Sequence, residues 1–330
     1  MPKPFFSTDM GNLFVGDASR LIRNPIFLRG YESKCDLIFF SPPYSLVKQK
    51  SYKNKTSDEY VRWLKSFAKP LARLLSPTGS IIIELGNAWE KDSPTMSTTA
   101  TEALLAFKKK ADLFLCQEFI WHNPARLPSP AQWVTVERFR LKDSFTKIWW
   151  MAKTDRPKAD NRRVLQSYSA SMKKLLETKS YNAGLRPSEH RISKESFFIN
   201  NGGAIPAAAL DERGLQSFLR YSNTRTDKLY REHCQRVGVP QHPARMPADL
   251  AAFFISLTTD EGDLVMDPFA GSNTTGATAE KLGRHWVSVE LSHAYAKGST
   301  IRFGSLDDHE GGAAPAQLSE MVSEMSGGKA

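Results

Sequence analysis

Short apolar runs alternate with helical patterns along the first half of this 330-residue chain, lapse, and resume near its end. Strand-like runs fall at residues 13–15, 36–40, 80–85, 115–121 and 145–151, and again at 263–269 and 286–291. Between them, residues 57–75 carry Tyr60, Trp63, Leu64, Phe67, Leu71 and Leu74 at the three-to-four spacing of one helical face. Residues 98–109, 247–258 and 274–282 read as further helices, the second of them opened by Pro247 and packed through Leu250, Phe253, Phe254 and Leu257. Alternation of this kind is the signature of strand–helix–strand units around a parallel sheet, so the chain is restricted to an α/β architecture. Residues 152–235 break the pattern and turn irregular, with Gly202-Gly203 and Pro206 as loop punctuation. One α/β domain interrupted by an insert is therefore expected. Residues 1–151 and 236–305 form its two halves, and 306–330, rich in Gly, Ala, Ser and Glu, form a loosely ordered tail.

Charge separates the insert from the domain. The chain carries a net +10, and between residues 152 and 236 seven Lys and ten Arg stand against four Asp and five Glu, a local excess of +8. A solvated basic face would look the same, but such concentration points to a polyanion, with nucleic acid the foremost expectation. No apolar stretch approaches the roughly 20 residues needed to cross a bilayer, so no membrane partner is expected. The first residues show no signal-peptide pattern, and Cys35, Cys116 and Cys234 lie too far apart for a disulfide framework or a metal site. A reducing cytoplasm fits, and no metal is expected.

Two motifs carry chemistry. The run 36–40 is followed at once by Ser41-Pro42-Pro43-Tyr44. Consecutive prolines cannot donate ladder hydrogen bonds, so the strand ends there in a stiff turn that presents a hydroxyl, free carbonyls and an aromatic ring. An edge-strand terminator with a surface tyrosine is the plainer alternative. The second motif follows the strand at 263–269: Asp267-Pro268-Phe269-Ala270-Gly271-Ser272-Asn273-Thr274 leads into a helix, and the next strand ends at Glu290. Gly271 lets a ligand approach the backbone, helix-start amides face it, and Glu290 lies where a carboxylate can accept the hydroxyls of a ribose. The Gly-Lys-Ser/Thr ending of a phosphate loop is missing, and Asn273 stands where a dinucleotide fingerprint would place a second glycine. A nucleoside-containing cofactor suits this arrangement.

Together, "SPPY" after one strand and "DPFAGSNTTG" preceded by "HPARMPADLAAFFISLTTDEGDLVMDPF" resemble the β-class amino-methyltransferases of DNA, and within them the cytosine-N4 branch of bacterial restriction–modification systems. "WHNPARLPSPAQWV" and "RFRLKDSFTKIWWMAKT" share that likeness, which covers the chain from about Asn12 to Phe303 apart from the insert. The resemblance implies a seven-stranded, mostly parallel, Rossmann-like methyltransferase sheet. The strand before Asp267 would be central, the strand before Ser41 beside it, and the insert would be the target-recognition region. It implies S-adenosyl-L-methionine as cofactor, double-stranded DNA as substrate, and a restriction endonuclease acting on the same site as a partner. Asn273 departs from the Gly of most of the class, a departure the cytosine-N4 branch is expected to tolerate.

On this reading the Ser41 hydroxyl and the Pro42 carbonyl accept hydrogen bonds from an exocyclic amine, Pro43 stiffens the turn, and Tyr44 stacks on the flipped base. Asp267 faces the cofactor's methionine amino group, and Asp17 its adenine amine unless it merely caps a helix. His242 and Pro243 wall the methionine end. Glu84 and Asn87 read only as turn residues. Cytosine-C5 methylation would need a thiolate, usually after proline, and none of the three cysteines follows one. Adenine-N6 methylation uses the same amine-gripping logic and stays open, as does a DNA-binding module with an inert pocket. A nicotinamide dehydrogenase finds little pyrophosphate room at a single crest glycine.

Overall fold

A computed structural model describes residues 2–44, 57–90, 92–123, 126–128, 130–180, 184–185, 191–192, 198–211 and 223–304. The chain opens with β1 (Phe6–Ser7), β2 (Gly11–Val15), two short helices α1 (Ala18–Leu21) and α2 (Pro25–Tyr31), and β3 (Cys35–Phe40). Helix α3 (Ser57–Leu74) leads into β4 (Leu75–Gly86), and α4 (Thr99–Ala111) leads into β5 (Phe114–His122) and β6 (Phe145–Ala152). The insert holds α5 (Ala170–Thr178), a small ladder of β7 (Gly184–Leu185) with β8 (Arg191–Ile192), then β9 (Ala209–Asp211) and α6 (Asn223–Arg236). Helix α7 (Ala248–Thr258), β10 (Leu264–Asp267), α8 (Thr274–Lys281), β11 (His285–Glu290) and α9 (His293–Ser299) complete it. The expected tail at 306–330 lies outside the described residues.

The main sheet has the order β1-β2-β11-β10-β3-β4-β6-β5-β9. It has nine strands rather than the expected seven. The two additions sit at the edges: β1 pairs antiparallel with β2, and β9, from within the insert, pairs parallel with β5. Runs of two and three residues are too short for any periodicity to reveal. In the inner seven, β2, β11, β10, β3 and β4 run parallel, and β6 is antiparallel to both its neighbours. β10 and β3 are partners in the middle.

Strand alternation divides the core into two layers. Ile38 and Phe40 of β3 face one side, with Tyr60, Leu64, Phe67 and Leu71 of α3. Leu37 and Phe39 face the other, where Phe39 lies 5.3 Å from Phe254 of α7, ring centre to ring centre. Each such side chain taken fully from water contributes about 1.5–3 kcal/mol, so the sheet is fixed from both faces. Helix α7 is buried along almost its whole length, with Pro247 capping it from just outside the first turn. The insert is not wholly apart from this core, because Val164 and Leu210 are buried in the same layer as α7. Among the described residues, no helix is long and apolar enough to cross a membrane.

Candidate functional site

The central pairing sets the site. β10 and β3 run parallel, with Val265 opposite Leu37 and Met266 opposite Ile38, so their carboxyl ends open at the same edge of the sheet. Ligand sites of open α/β sheets form in such crevices. Ser41 to Tyr44 leave one strand and the Asp267 to Thr274 turn leaves the other. An aromatic contact ties the two exits together: the Phe40 ring lies 5.5 Å from Phe269, which also packs against Phe67 of α3 at 5.2 Å.

At the first exit, Ser41 Oγ donates to Glu84 Oε2 at 2.5 Å, and the Tyr44 hydroxyl donates to the same oxygen. The two hydroxyls are 3.3 Å apart. Glu84 comes from β4, where Ile83 is the register partner of Phe40, so its carboxylate stands level with Ser41. Glu84 is only 3% exposed, and its Oε1 has no hydrogen-bond partner among the described residues. Burial, reinforced by the neighbouring Glu84, raises the Tyr44 phenol well above its usual range. Tyr44 therefore stays protonated and donates. Its ring lies on Gly86, where an added Cβ would come within 2.6 Å of a ring carbon. Pro42 is buried and Pro43 exposed, and the chain makes no ladder there. Because Ser41 gives its only hydrogen to Glu84, its oxygen has nothing to offer an incoming group except lone pairs.

From the sequence alone Glu84 reads as a turn residue. The signal that could have found it is a lone carboxylate in the otherwise apolar run Ile81-Ile82-Ile83-Glu84-Leu85, because a buried charge on a strand must be paired or functional.

At the second exit, Gly271 has φ +54°, a conformation that costs an L side chain energy, and its amide donates to Glu290 Oε2 at 2.7 Å. Ser292 N donates to Oε1 at 2.8 Å, leaving each carboxylate oxygen a further lone pair. Burial raises the Glu290 carboxyl above its ordinary value. Burial also pushes Asp267 up to about 7, with Glu290 adding to the shift, while its Oδ1 accepts from Phe269 N at 2.9 Å. The carbonyl of Ser272 accepts from Arg302 Nε at 2.8 Å, and its hydroxyl lies 3.1 Å from that of Thr274. Asn273 has φ +52° and its Oδ1 accepts from Ser288 Oγ at 2.7 Å. That explains its presence in a glycine-like position: asparagine tolerates the left-handed region, and the side chain fastens the turn to β11.

Of the remaining expected residues, His242 lies over the turn. Its ring would meet a Cβ on Gly271 at 3.0 Å, and its backbone amide donates to the Tyr230 hydroxyl of α6. Pro243 follows it at the exposed rim. Pro268 is buried inside the turn. Asp17 follows β2, whose Val15 pairs with Glu290, so it stands at the same edge. It caps a helix, Oδ1 accepting from Ser19 N at 2.7 Å, and its Oδ2 lies 3.9 Å from Arg20 Nε.

The DNA methylase family model matches residues 35–301. The Type II methyltransferase M.PvuII of Proteus hauseri is 39% identical over 304 residues, 91% of this chain and 86% of that one. The Type II methyltransferase M.BamHI of Bacillus amyloliquefaciens is 25% identical over 305 residues, 88% of this chain and 57% of its own length. The solved structure of PvuII DNA methyltransferase (cytosine-N4-specific) superposes with a TM-score of 0.70 at 31% identity, spanning 99% of this chain and 96% of that one. An M1.HpyAVI–SAM complex superposes at 0.50 with 16% identity over 89% of this chain and all of its own, a likeness of fold alone.

Proposed function

The chain belongs to the DNA methylase family, and we propose that it transfers a methyl group from S-adenosyl-L-methionine to the N4 amine of a cytosine flipped out of a short duplex site. The name of PvuII DNA methyltransferase, its relative in fold and sequence, supports cytosine N4 as the target. The observation that carries the chemistry is the Ser41–Glu84 hydrogen bond.

An exocyclic amine is a poor nucleophile because its lone pair is delocalised into the ring. With its own hydrogen committed to Glu84, Ser41 accepts one amine hydrogen, and the Pro42 carbonyl accepts the other. Both bonds draw the amine toward pyramidal geometry and raise electron density on nitrogen. Bound S-adenosylmethionine supplies a methyl group on a sulfonium, whose sulfur keeps the bonding pair when the new N–C bond forms. The amine then loses one proton, which Ser41 passes to Glu84 as it receives it. Buried Glu84 takes that proton on Oε2, the oxygen Ser41 already faces. Tyr44, held flat by Gly86 and by its hydroxyl, stacks on the flipped ring.

The second exit suits the cofactor. Glu290 retains lone pairs for ribose hydroxyls, and Asp267 gains a counter-ion when it faces a cationic amino group. Gly271 leaves open the backbone approach that a side chain would close. Ser272, Asn273 and Thr274 hold the turn, Phe269 and Pro268 form its floor, and His242 and Pro243 wall it. Asp17 reaches the adenine with the carboxylate oxygen that does not cap α1.

The basic stretch 152–235 is the target-recognition region that seats duplex DNA. In the cell the protein works in the cytoplasm on the nucleoid, and a restriction endonuclease reading the same site is its partner. The relatives' designation as Type II methyltransferases supports that setting. Incubation with duplex plasmid DNA and labelled S-adenosylmethionine, followed by nucleoside mass spectrometry, tests the reading. 4-Methylcytosine is expected. 6-Methyladenine would move the target to adenine, and no methylated nucleoside would leave a binding module.

A further inference from the structure

The segment joining β5 to β6 exposes apolar side chains that a connecting loop has no reason to carry. Val136 is 67% exposed, Phe139 58% and Leu141 92%. Its residues 130–143 are nevertheless held by their own contacts. Residues Gln132–Val136 form a π-helical turn, and the carbonyl of Trp133 accepts from the amides of both Phe139 and Arg140 at 3.2 Å. Arg138 between them has φ +61°, a conformation that persists in a non-glycine residue only where its surroundings impose it. The Arg140 guanidinium stacks 3.8 Å above the Trp89 ring of the loop following β4.

The base of this protrusion stands against the catalytic pocket. Asp143 accepts from Asn87 Nδ2 at 2.9 Å, and Asn87 directly follows Gly86, on which the Tyr44 ring rests. Gly86 is also the register partner of Thr146, the second residue of β6. The duplex from which a base is withdrawn into that pocket must pass close to the loop.

Exposed apolar side chains on an ordered protrusion mark a surface awaiting a partner, and charge decides which. Basic and apolar residues alternate through Arg138-Phe139-Arg140-Leu141-Lys142. The acidic residues of the segment are already engaged, Glu137 by Gln132 and Asp143 by Asn87 and Arg126. A protein partner has no need of that alternation. Nucleic acid does, since cations hold its phosphates and apolar side chains lie against its bases.

We infer that the β5–β6 loop is a second DNA-contacting surface, outside the recognition insert, on which Phe139 and Leu141 pack against the bases left behind when the target is withdrawn while Arg138 and Lys142 hold the adjoining phosphates. This rests on the reading of the chain as a DNA methyltransferase that flips its target.

The test uses two double variants of the full chain, Phe139→Ser/Leu141→Ser and Arg138→Gln/Lys142→Gln, with calorimetric cofactor affinity and sedimentation as controls. Binding to a mixed-sequence duplex of about 30 base pairs is followed by anisotropy against salt, and methyl transfer to saturating plasmid DNA by labelled cofactor. The basic pair is expected to weaken duplex binding about tenfold and to reduce the salt slope by about two. The apolar pair is expected to lower transfer at least tenfold with cofactor affinity and sedimentation unchanged. An apolar variant within twofold of the parent in both DNA readouts overturns the inference, whatever the basic pair does. So does a change confined to sedimentation, which would make the loop a protein interface. A parent that binds and methylates plasmid DNA beside silent variants removes the loop alone, whereas a parent that transfers nothing to DNA removes the underlying reading with it.

Discussion

Ser41 Oγ and Glu84 Oε2 lie 2.5 Å apart at the ends of neighbouring parallel strands, and this contact turns a serine into an acceptor. Glu84→Gln keeps the shape but replaces a proton-accepting carboxylate with a neutral amide. Methyl transfer is expected to fall by about 10²–10⁴, the usual weight of positioned acid–base groups, with cofactor affinity within twofold of the parent. Single-turnover rates and calorimetry on one preparation check both halves.

Gly86 makes a steric prediction about Tyr44. Alanine there would place a methyl 2.6 Å from the tyrosine ring, so the ring must leave its seat. Gly86→Ala is expected to lower the turnover rate at least tenfold while cofactor binding is retained, and Tyr44→Ala to do the same. Normal turnover in both would remove Tyr44 from the catalytic assignment.

At the cofactor turn, the two left-handed residues should respond oppositely to substitution. Gly271→Ala imposes about 1–2 kcal/mol of backbone strain and drives a methyl against the His242 ring. Loss of thermal stability and at least tenfold weaker cofactor binding are expected. Asn273→Gly relieves the backbone and loses only the Ser288 contact, so it should keep cofactor affinity within about threefold. Differential scanning fluorimetry with and without cofactor distinguishes them.

The Asp267 carboxyl, pushed up to about 7 by burial, sets a pH dependence. A cationic amino group needs the ionised form, so cofactor affinity should rise about tenfold per pH unit up to about 7 and level off above it. The ligand-free protein is expected to show the opposite trend. Between the usual aspartate value of about 3.9 and about 7, the folded state keeps a proton that the unfolded chain has released, so stability declines as pH rises through that window. Asp267→Asn should flatten both curves. Titration calorimetry and denaturant unfolding from pH 5 to 8.5 measure them.

Much of this was legible in the residues because burial writes itself into them. The apolar run at 36–40 is β3 to within one residue, the run at 80–85 is only the inner half of β4, which begins five residues earlier at Leu75, and the Pro-Pro pair marks where β3 stops. The elements that the sequence does not reveal have little burial to announce them. No residue of α5 is buried, so its helix rests on the Ser169 cap rather than an apolar stripe, and α6 is anchored by Tyr230 and Cys234 inside a polar sequence. Glu84 was missed for the converse reason. Its partners lie 43 and 40 residues away in the chain, and only the sheet register brings them together. Asp17 reads both as a cofactor contact and as a cap, and it caps α1 through one carboxylate oxygen.

Whether Glu84 receives the amine proton through Ser41 is measured most directly by single-turnover methylation of duplex DNA at saturating cofactor, with the parent and Glu84→Gln side by side. Glu84→Gln is expected to be slower than the parent by about 10²–10⁴, while the few products formed are still 4-methylcytosine. A Glu84→Gln enzyme that matches the parent in rate would contradict the account.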